Sequence, residues 1–516
     1  MKKYYLLCVP LLFTYVITTK AACANDEFGH TFFSVRPEYQ SEFPIKNSLL
    51  RNRAKVRCED GVDAAFEVVP YYGQSNKGDN LMKFFGPSAK TELVVDSNPP
   101  IAGQTGIDRD INPIHFGIHY TLDGTLNGAP GRYKSTIQFL PERTVFGVGL
   151  TYRQYFGRPA STCDKQWYWE FSAPVLHVRN KVNLTEVCDC AVRRGFPAPD
   201  SPVNMIEAFS GTHRFLTTNE TMNFGLINDT SSEGMKKTGA EIELKLGYDF
   251  YNTQQLLFDM YIGLMAPINR IPSGVQLFEA VPGYNRHFGL MFGMGTGVLL
   301  WRNDDHMISW IIETNFRYLI KNTQTRSFDL IARPWSRYMI VRNPNGTFSP
   351  GINLFTQPMK VQPRGSFDMN IGFVYDTRAG IEFELGYNFY ARQAEKVCLV
   401  DDFPTGYQTV GFNPVTLRPD TNIITITSNI ASNGCPLPAP GQPGFIPGST
   451  ITEQDLNLLS ASHPAYTANQ IYLSLGSIWN MYENPLVVGF GASYEFSGKN
   501  TALNRWLVWG KFVISI

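Results

Sequence analysis

Charge is scarce in this sequence: Lys, Arg, Asp and Glu make up 17% of 516 residues, against about a quarter in ordinary soluble domains. The 45 basic and 45 acidic residues balance, so no basic field exists to hold a nucleic acid, and no such partner is expected. Long apolar runs are missing too. Beyond the N-terminus nothing approaches the roughly 18 consecutive apolar residues of a membrane helix. Catalytic signatures are also lacking: there is no His-Glu-x-x-His, no Gly-x-Ser-x-Gly and no phosphate loop, so neither an enzyme nor a cofactor is expected. Gly293, Gly295 and Gly297 form a glycine-rich run without the strand-to-helix setting of a dinucleotide site. His115 and His119 lie in an alternating segment, where strand spacing would hold them more than about 12 Å apart, too far to chelate one metal.

Aromatic residues, by contrast, are abundant at 36 Phe, 25 Tyr and 8 Trp, yet mean hydropathy is only −0.17. The chain opens with Lys2 and Lys3, a mostly apolar stretch from Tyr4 to Ile17, and Ala22-Cys23-Ala24. This order reads as an export signal over residues 1–24, with a mature chain from 25 to 516. Removing three lysines and no acid leaves that chain at 42 minus 45, a net charge of −3. Six cysteines remain: Cys58, Cys163, Cys188, Cys190, Cys398 and Cys435. In an exported chain an even number suggests disulfides.

Alternation carries the fold. In 241–250, Glu241, Glu243, Lys245, Gly247 and Asp249 interleave with Ile242, Leu244, Leu246, Tyr248 and Phe250. That is period two, the signature of a strand with one polar and one apolar face. The same rule sets Glu382 and Glu384, with Arg392 further on, against Ile381, Phe383 and Leu385. It sets Asp368 against Phe367 and Met369, Glu313 and Arg317 against Ile312 and Phe316, and Glu495 against Tyr494 and Phe496. Such segments run about 10–15 residues, which suits a tilted bilayer crossing better than the five or six usual in globular sheets. Aromatics near their ends, such as Trp167, Trp169, Tyr248, Tyr387, Tyr494 and Trp506, suit interfacial girdles.

The chain ends inside such a segment, 503–516, with Gly510, Phe512, Ile514 and Ile516 on one face and Lys511 on the other. This final strand resembles the C-terminal assembly signal of bacterial outer-membrane β-barrel proteins, although those usually end in an aromatic residue. The resemblance implies a porin-like protein in the cell outer membrane, lipid around it, the barrel assembly machinery as a partner, and a periplasmic C-terminus. A homotrimer is one expected assembly.

The expected fold class is therefore all-β, a transmembrane antiparallel β-barrel of about 14–16 strands within a range of 12–18, with long extracellular loops. Sixteen candidate strands include 31–40, 113–121, 133–140 and 335–343 beside the segments above. Residues 394–465 form the longest external loop, in which a Cys398–Cys435 disulfide is expected. Residues 239–251 and 378–390 match at eight of thirteen positions, either as a duplicated hairpin or as two solutions to one local problem. The expected pore lining is Glu241, Glu243, Lys245, Asp249, Glu313, Arg317, Asp368, Glu382, Glu384, Arg392, Glu495 and Lys511. Its mixed signs point to passive diffusion of small polar solutes with weak ion selectivity. Two alternatives stand beside this reading: a transporter of hydrophobic compounds plugged by apolar stretches such as Leu81–Phe85, and a structural or adhesive surface protein acting through the long loop.

Overall fold

A computed structural model describes residue 30, residues 35–37 and the chain from 64 to 515, apart from 77–80, 82–83, 85, 87–90, 98–109, 122–131, 157–165, 190–195, 198–199, 215–219, 229–235, 254, 332, 378–379, 413–418, 421–447, 482–483, 499 and 501–502. The signal segment, Cys435 and Ile516 lie outside the described residues.

Twelve antiparallel strands close into one barrel. They are β1 (Ala64–Ser75), β2 (Glu142–Phe156), β3 (in two pieces, Gln166–Ser172 and Val175–Lys181), β4 (Lys236–Asn252), β5 (Leu256–Pro267), β6 (Gly289–Arg302), β7 (His306–Leu319), β8 (Arg364–Thr377), β9 (Ile381–Arg392), β10 (Tyr466–Met481), β11 (Asn484–Ser497) and β12 (Arg505–Ser515). Each pairs with its sequence neighbours, and β1 also pairs with β12 from Ala65↔Ser515 to Ser75↔Arg505, which leaves no open edge. The two pieces of β3 keep one register. Thr151↔Ser172 and Val148↔Val175 on the β2 side, like Glu243↔Ser172 and Ala240↔Val175 on the β4 side, continue straight through the break. Pro174 has no N–H to give the ladder, so the strand is interrupted without a bulge.

Side chains alternate as the sequence requires. Outward positions hold Phe146, Ile262, Leu264, Phe373, Leu385, Ile471 and Phe490, all exposed. A bilayer is the environment in which such a belt is stable, since every backbone group is already paired within the wall. Tyrosines frame it near the rims: Tyr494 accepts from Asn76 Nδ2 at 2.7 Å, Tyr318 accepts from Gln362 Nε2 at 2.7 Å, and Trp167 packs on Tyr248 with centroids 4.8 Å apart.

The two rims differ. At the rim holding Ala64 and Ser515, connections run from two residues (482–483) to nine (157–165). At the other rim the connections are 76–141, 182–235, 268–288, 320–363, 393–465 and 498–504. Most of these loops fold together into a cap with its own hydrophobic core. Phe116, Phe139, Phe209, Trp335 and Tyr338, from three different loops, meet there, with Phe116–Phe209 centroids 4.9 Å apart and Phe209–Tyr338 5.6 Å apart. Small sheets join the loops: Glu92–Asp96 with Lys134–Gln138 and Thr185–Cys188, and Asn322–Ser327 with Thr356–Gln362 and Lys396–Leu399.

Sixteen expected strands thus become twelve in the wall. Pro113–Phe116 is a 3-10 turn capped by Asn112 and ended by Gly117 at φ 78°, so His115 and His119 share no strand. Lys134–Gln138 is a strand of the cap, as is Ile340–Arg342, which follows a 3-10 turn at Ser336–Tyr338. Val35–Pro37 is irregular and sits within the barrel. The remaining twelve candidates are the barrel strands.

Candidate functional site

Inside the barrel, the strands' polar faces converge on one another. All twelve residues expected to line the pore point inward and are buried, from Asp368 at 0% exposed to Arg392 at 7%. So little of their surface meets solvent that the bore is filled by side chains rather than being a wide aqueous tube.

Ion pairs organise the filling. Along one wall, Lys511 on β12 meets Glu67 on β1 at 3.3 Å. A longer relay begins at Arg153 on β2, which binds Glu170 on β3 at 2.6 Å; Glu170 binds Lys245 on β4 at 3.0 Å; and Lys245 lies 3.7 Å from Glu243. Glu243 then receives Arg317 at 2.9 Å. Since β5 and β6 separate β4 from β7 in the wall, this last bond reaches across the bore. Arg326 and Arg392, the latter at 2.6 Å, both hold Glu395 where barrel and cap join. Taking one member from such a buried pair leaves an uncompensated charge and costs about 3–5 kcal/mol.

A second set of luminal groups is neutral. Ser309 and Asn315 on β7, Ser366 and Asn370 on β8, and Gln470 and Ser474 on β10 are buried. Each leaves at least one side-chain N or O without a hydrogen-bond partner among the described residues, and Asn315 leaves both. A dry interior seldom tolerates such groups, at about 1–3 kcal/mol each. Beside their ion pairs, the strands from β7 to β10 therefore carry neutral groups that can still offer hydrogen bonds.

Rings seated on glycines shape the bore. Tyr71, Tyr168, Tyr261, Tyr472 and Trp509 press against Gly147, Gly247, Gly293, Gly386 and Gly491 on neighbouring strands, in space a Cβ would occupy. This explains the matching segments 239–251 and 378–390, since Gly247 and Gly386 each receive a tyrosine. β4 and β9 cross in opposite directions, which a duplicated hairpin would not do. What the segments share is this local fit.

The most consequential luminal group belongs to no strand. Arg36, 2% exposed, places its guanidinium 3.1 Å from Asp368 on β8 and 3.4 Å from Glu495 on β11. It also donates to Asn388 Oδ1 and lies over the Tyr390 ring, 4.7 Å from its centroid. Val35 beside it packs on the cap core. His30, six residues earlier, donates its N–H to Phe84 O at 3.0 Å and stacks on that ring. No sequence pattern marks Arg36, because a luminal insert has neither alternation nor a mate close in sequence. Glu67, Arg153 and Glu170 also line the interior, and each sits on the polar face of an alternating segment, so the same pattern marks them.

Other expected features fall elsewhere. Leu81 and Phe84 are buried in the cap core. From 394–465, Phe403, Ile451, Leu456 and Ala461 belong to the cap core, and Cys398 is exposed on a cap strand; its expected mate Cys435 is not described. Phe512 and Ile514 face outward as the final-strand pattern requires. No group of His, Cys, Asp and Glu that could hold a metal occurs among the described residues.

No family model and no curated protein matches this chain. Several solved structures resemble it in overall shape. An outer membrane channel from Pseudomonas putida F1 has a TM-score of 0.37 and 8% identity, covering 88% of this chain and 96% of that one. The transport unit of the autotransporter AIDA-I from Escherichia coli has a TM-score of 0.31 and 7% identity, covering 93% and 99%. A Pseudomonas aeruginosa FadL homologue has a TM-score of 0.28 and 9% identity, covering 88% and 89%. With its closed wall, apolar belt and polar interior, the chain has the fold of a membrane-spanning β-barrel of the outer-membrane type.

Proposed function

We propose that the protein is an outer-membrane channel, closed at rest, that passes small polar solutes and ions. The observation carrying this reading is the wall from β7 to β10, where six buried neutral side chains hold hydrogen-bonding atoms without partners among the described residues. Water or a polar solute moving along that wall supplies the missing bonds. A barrel built only as a scaffold gains more from apolar residues there. The capped rim faces the exterior and the rim of short turns faces the periplasm, in keeping with the usual asymmetry of such barrels.

Planar bilayer recording on the full-length protein tests this. The expected result is small, infrequent conductance steps in the wild type, and larger, longer ones in Arg36→Gln, where the luminal guanidinium is lost. Silence from both proteins, each shown to be folded by a mobility shift on heating in SDS gels, refutes the channel.

A further inference from the structure

The Arg36 site has the form of a binding site with its ligand in place. Four residues of the wall make it: Asp368, Asn388, Tyr390 and Glu495, each 2% exposed or less. Asp368 accepts Arg36 Nη2 on both oxygens, at 3.1 and 3.2 Å, and is itself held by Asn388 Nδ2 at 2.7 Å. Glu495 is steadied by Arg505 at 3.2 Å while it accepts from Arg36 Nη1. An aromatic face completes the cradle.

Two carboxylates, an amide oxygen and a ring face form the complement of a planar guanidinium, which donates in a fixed fork and stacks on aromatic rings. All four wall residues belong to strands β8, β9 and β11, whereas Arg36 comes from an irregular stretch ahead of β1. Occupant and site thus come from different parts of the chain.

We propose that this cradle is a luminal binding site for guanidinium-bearing organic cations, and that Arg36 is a tethered occupant which such solutes displace. The inference rests on the channel reading and specifies which solute it favours. Exchange of one guanidinium for another keeps the charge of the buried cradle unchanged. A neutral sugar or an anion entering instead would leave Asp368 facing only its amide neighbour. A compact ion such as Na⁺ offers charge without the forked donors. A tethered group competes at a fixed effective concentration, so displacement needs free guanidinium in excess of it.

The test is conductance of the full-length protein in planar bilayers at constant KCl, titrated with guanidinium chloride and, separately, with NaCl to the same ionic strength. A several-fold rise in wild-type open probability with guanidinium but not Na⁺ is expected. Arg36→Gln should be open from the start and show no further rise, while Arg36→Lys should be closed and open at lower guanidinium. Asp368→Asn should blunt the guanidinium response. A wild type indifferent to guanidinium beside a conducting Arg36→Gln overturns the binding site and leaves the channel standing. An equal rise in wild type and Arg36→Gln places the ligand elsewhere and also overturns it. Silence from every variant at every concentration removes the channel reading and the site with it.

Discussion

Replacing Gly386 with alanine tests how the barrel wall is held together. An alanine Cβ there would overlap the Tyr472 ring. The ring has nowhere to retreat, because Tyr472 is 1% exposed, its hydroxyl donates to Glu384, and it accepts from Asn370 Nδ2 at 3.1 Å. Making room requires either shifting β9 against β10, which pair along twelve residues from Ile381↔Ser477 to Arg392↔Tyr466, or breaking those hydrogen bonds. Overpacking of this kind costs about 1–3 kcal/mol, and a lost buried hydrogen bond about 1–3 more. The expected loss is about 2–6 kcal/mol. Urea titration in detergent micelles, read as the fraction of heat-modifiable band, measures it. The decisive comparison is a double-mutant cycle with Tyr472→Ala. With the ring gone the methyl no longer meets it, so the double mutant should be no less stable than Tyr472→Ala alone, and the coupling should equal the full Gly386→Ala loss. Strict additivity, or a Gly386→Ala protein as stable as the wild type, refutes the seating of rings on glycines as a structural principle of this barrel.

The cap should loosen in acid. Burial pulls His119 and His287 down to about 4 and His463 to about 3, below the ordinary 6.5. His287 is fixed in its neutral form, with Ile320 O 2.7 Å from Nδ1 and Gln324 Nε2 2.8 Å from Nε2, while Arg392 beside His463 further opposes protonation there. A folded pKa below the unfolded one means that cap stability is full above about pH 6.5 and falls as pH drops toward 4, by up to about 3 kcal/mol per histidine. Limited proteolysis between pH 7.5 and 4.5 should show cleavage within 76–141 and 393–465 rising below pH 6.5, and a flat profile contradicts this. Glu395→Gln removes the shared carboxylate of Arg326 and Arg392, so a loss of about 3–5 kcal/mol is expected, seen as cap proteolysis at neutral pH while the barrel band persists. Phe490→Arg puts a cation on the apolar belt, where Phe490 is 62% exposed; folding into lipid vesicles should lose up to about 2–4 kcal/mol, and an unchanged folded fraction would mean that this face does not meet lipid.

The barrel was legible because each wall strand has two unlike environments. Lipid on one side and polar neighbours on the other force the period-two pattern of Glu241 to Phe250 to persist for a full crossing. Inside the cap that contrast disappears. Ile114, Phe116, His115 and His119 are all buried, so the alternation of 113–121 reports composition rather than a sheet face, and Gly117 turns the chain regardless. Length separates the cases better: Lys134–Gln138 alternates truly but spans five residues, against 11 to 17 for the unbroken barrel strands. The relay from Arg153 to Arg317 could not be read, since its last bond depends on how far β7 stands from β4 across a closed cylinder. A single strand's pattern carries no such distance. Arg36 was hidden for the same reason, its partners lying 332 and 459 positions away.

The cap also constrains the order of assembly. Its sheets join chain segments from different crossings: Lys134–Gln138, between β1 and β2, pairs with Thr185–Cys188, between β3 and β4, and Asp329–Leu330 pairs with Leu456–Asn457, beyond β9. Before the intervening strands are paired in register, bringing these partners together means closing a long, unconstrained loop of chain. Entropy therefore places cap formation late, after long-range closure has already been met by the wall. Until then Phe209, Trp335 and their neighbours are exposed on unlinked loops, and during that interval the chain is most vulnerable to aggregation and proteases.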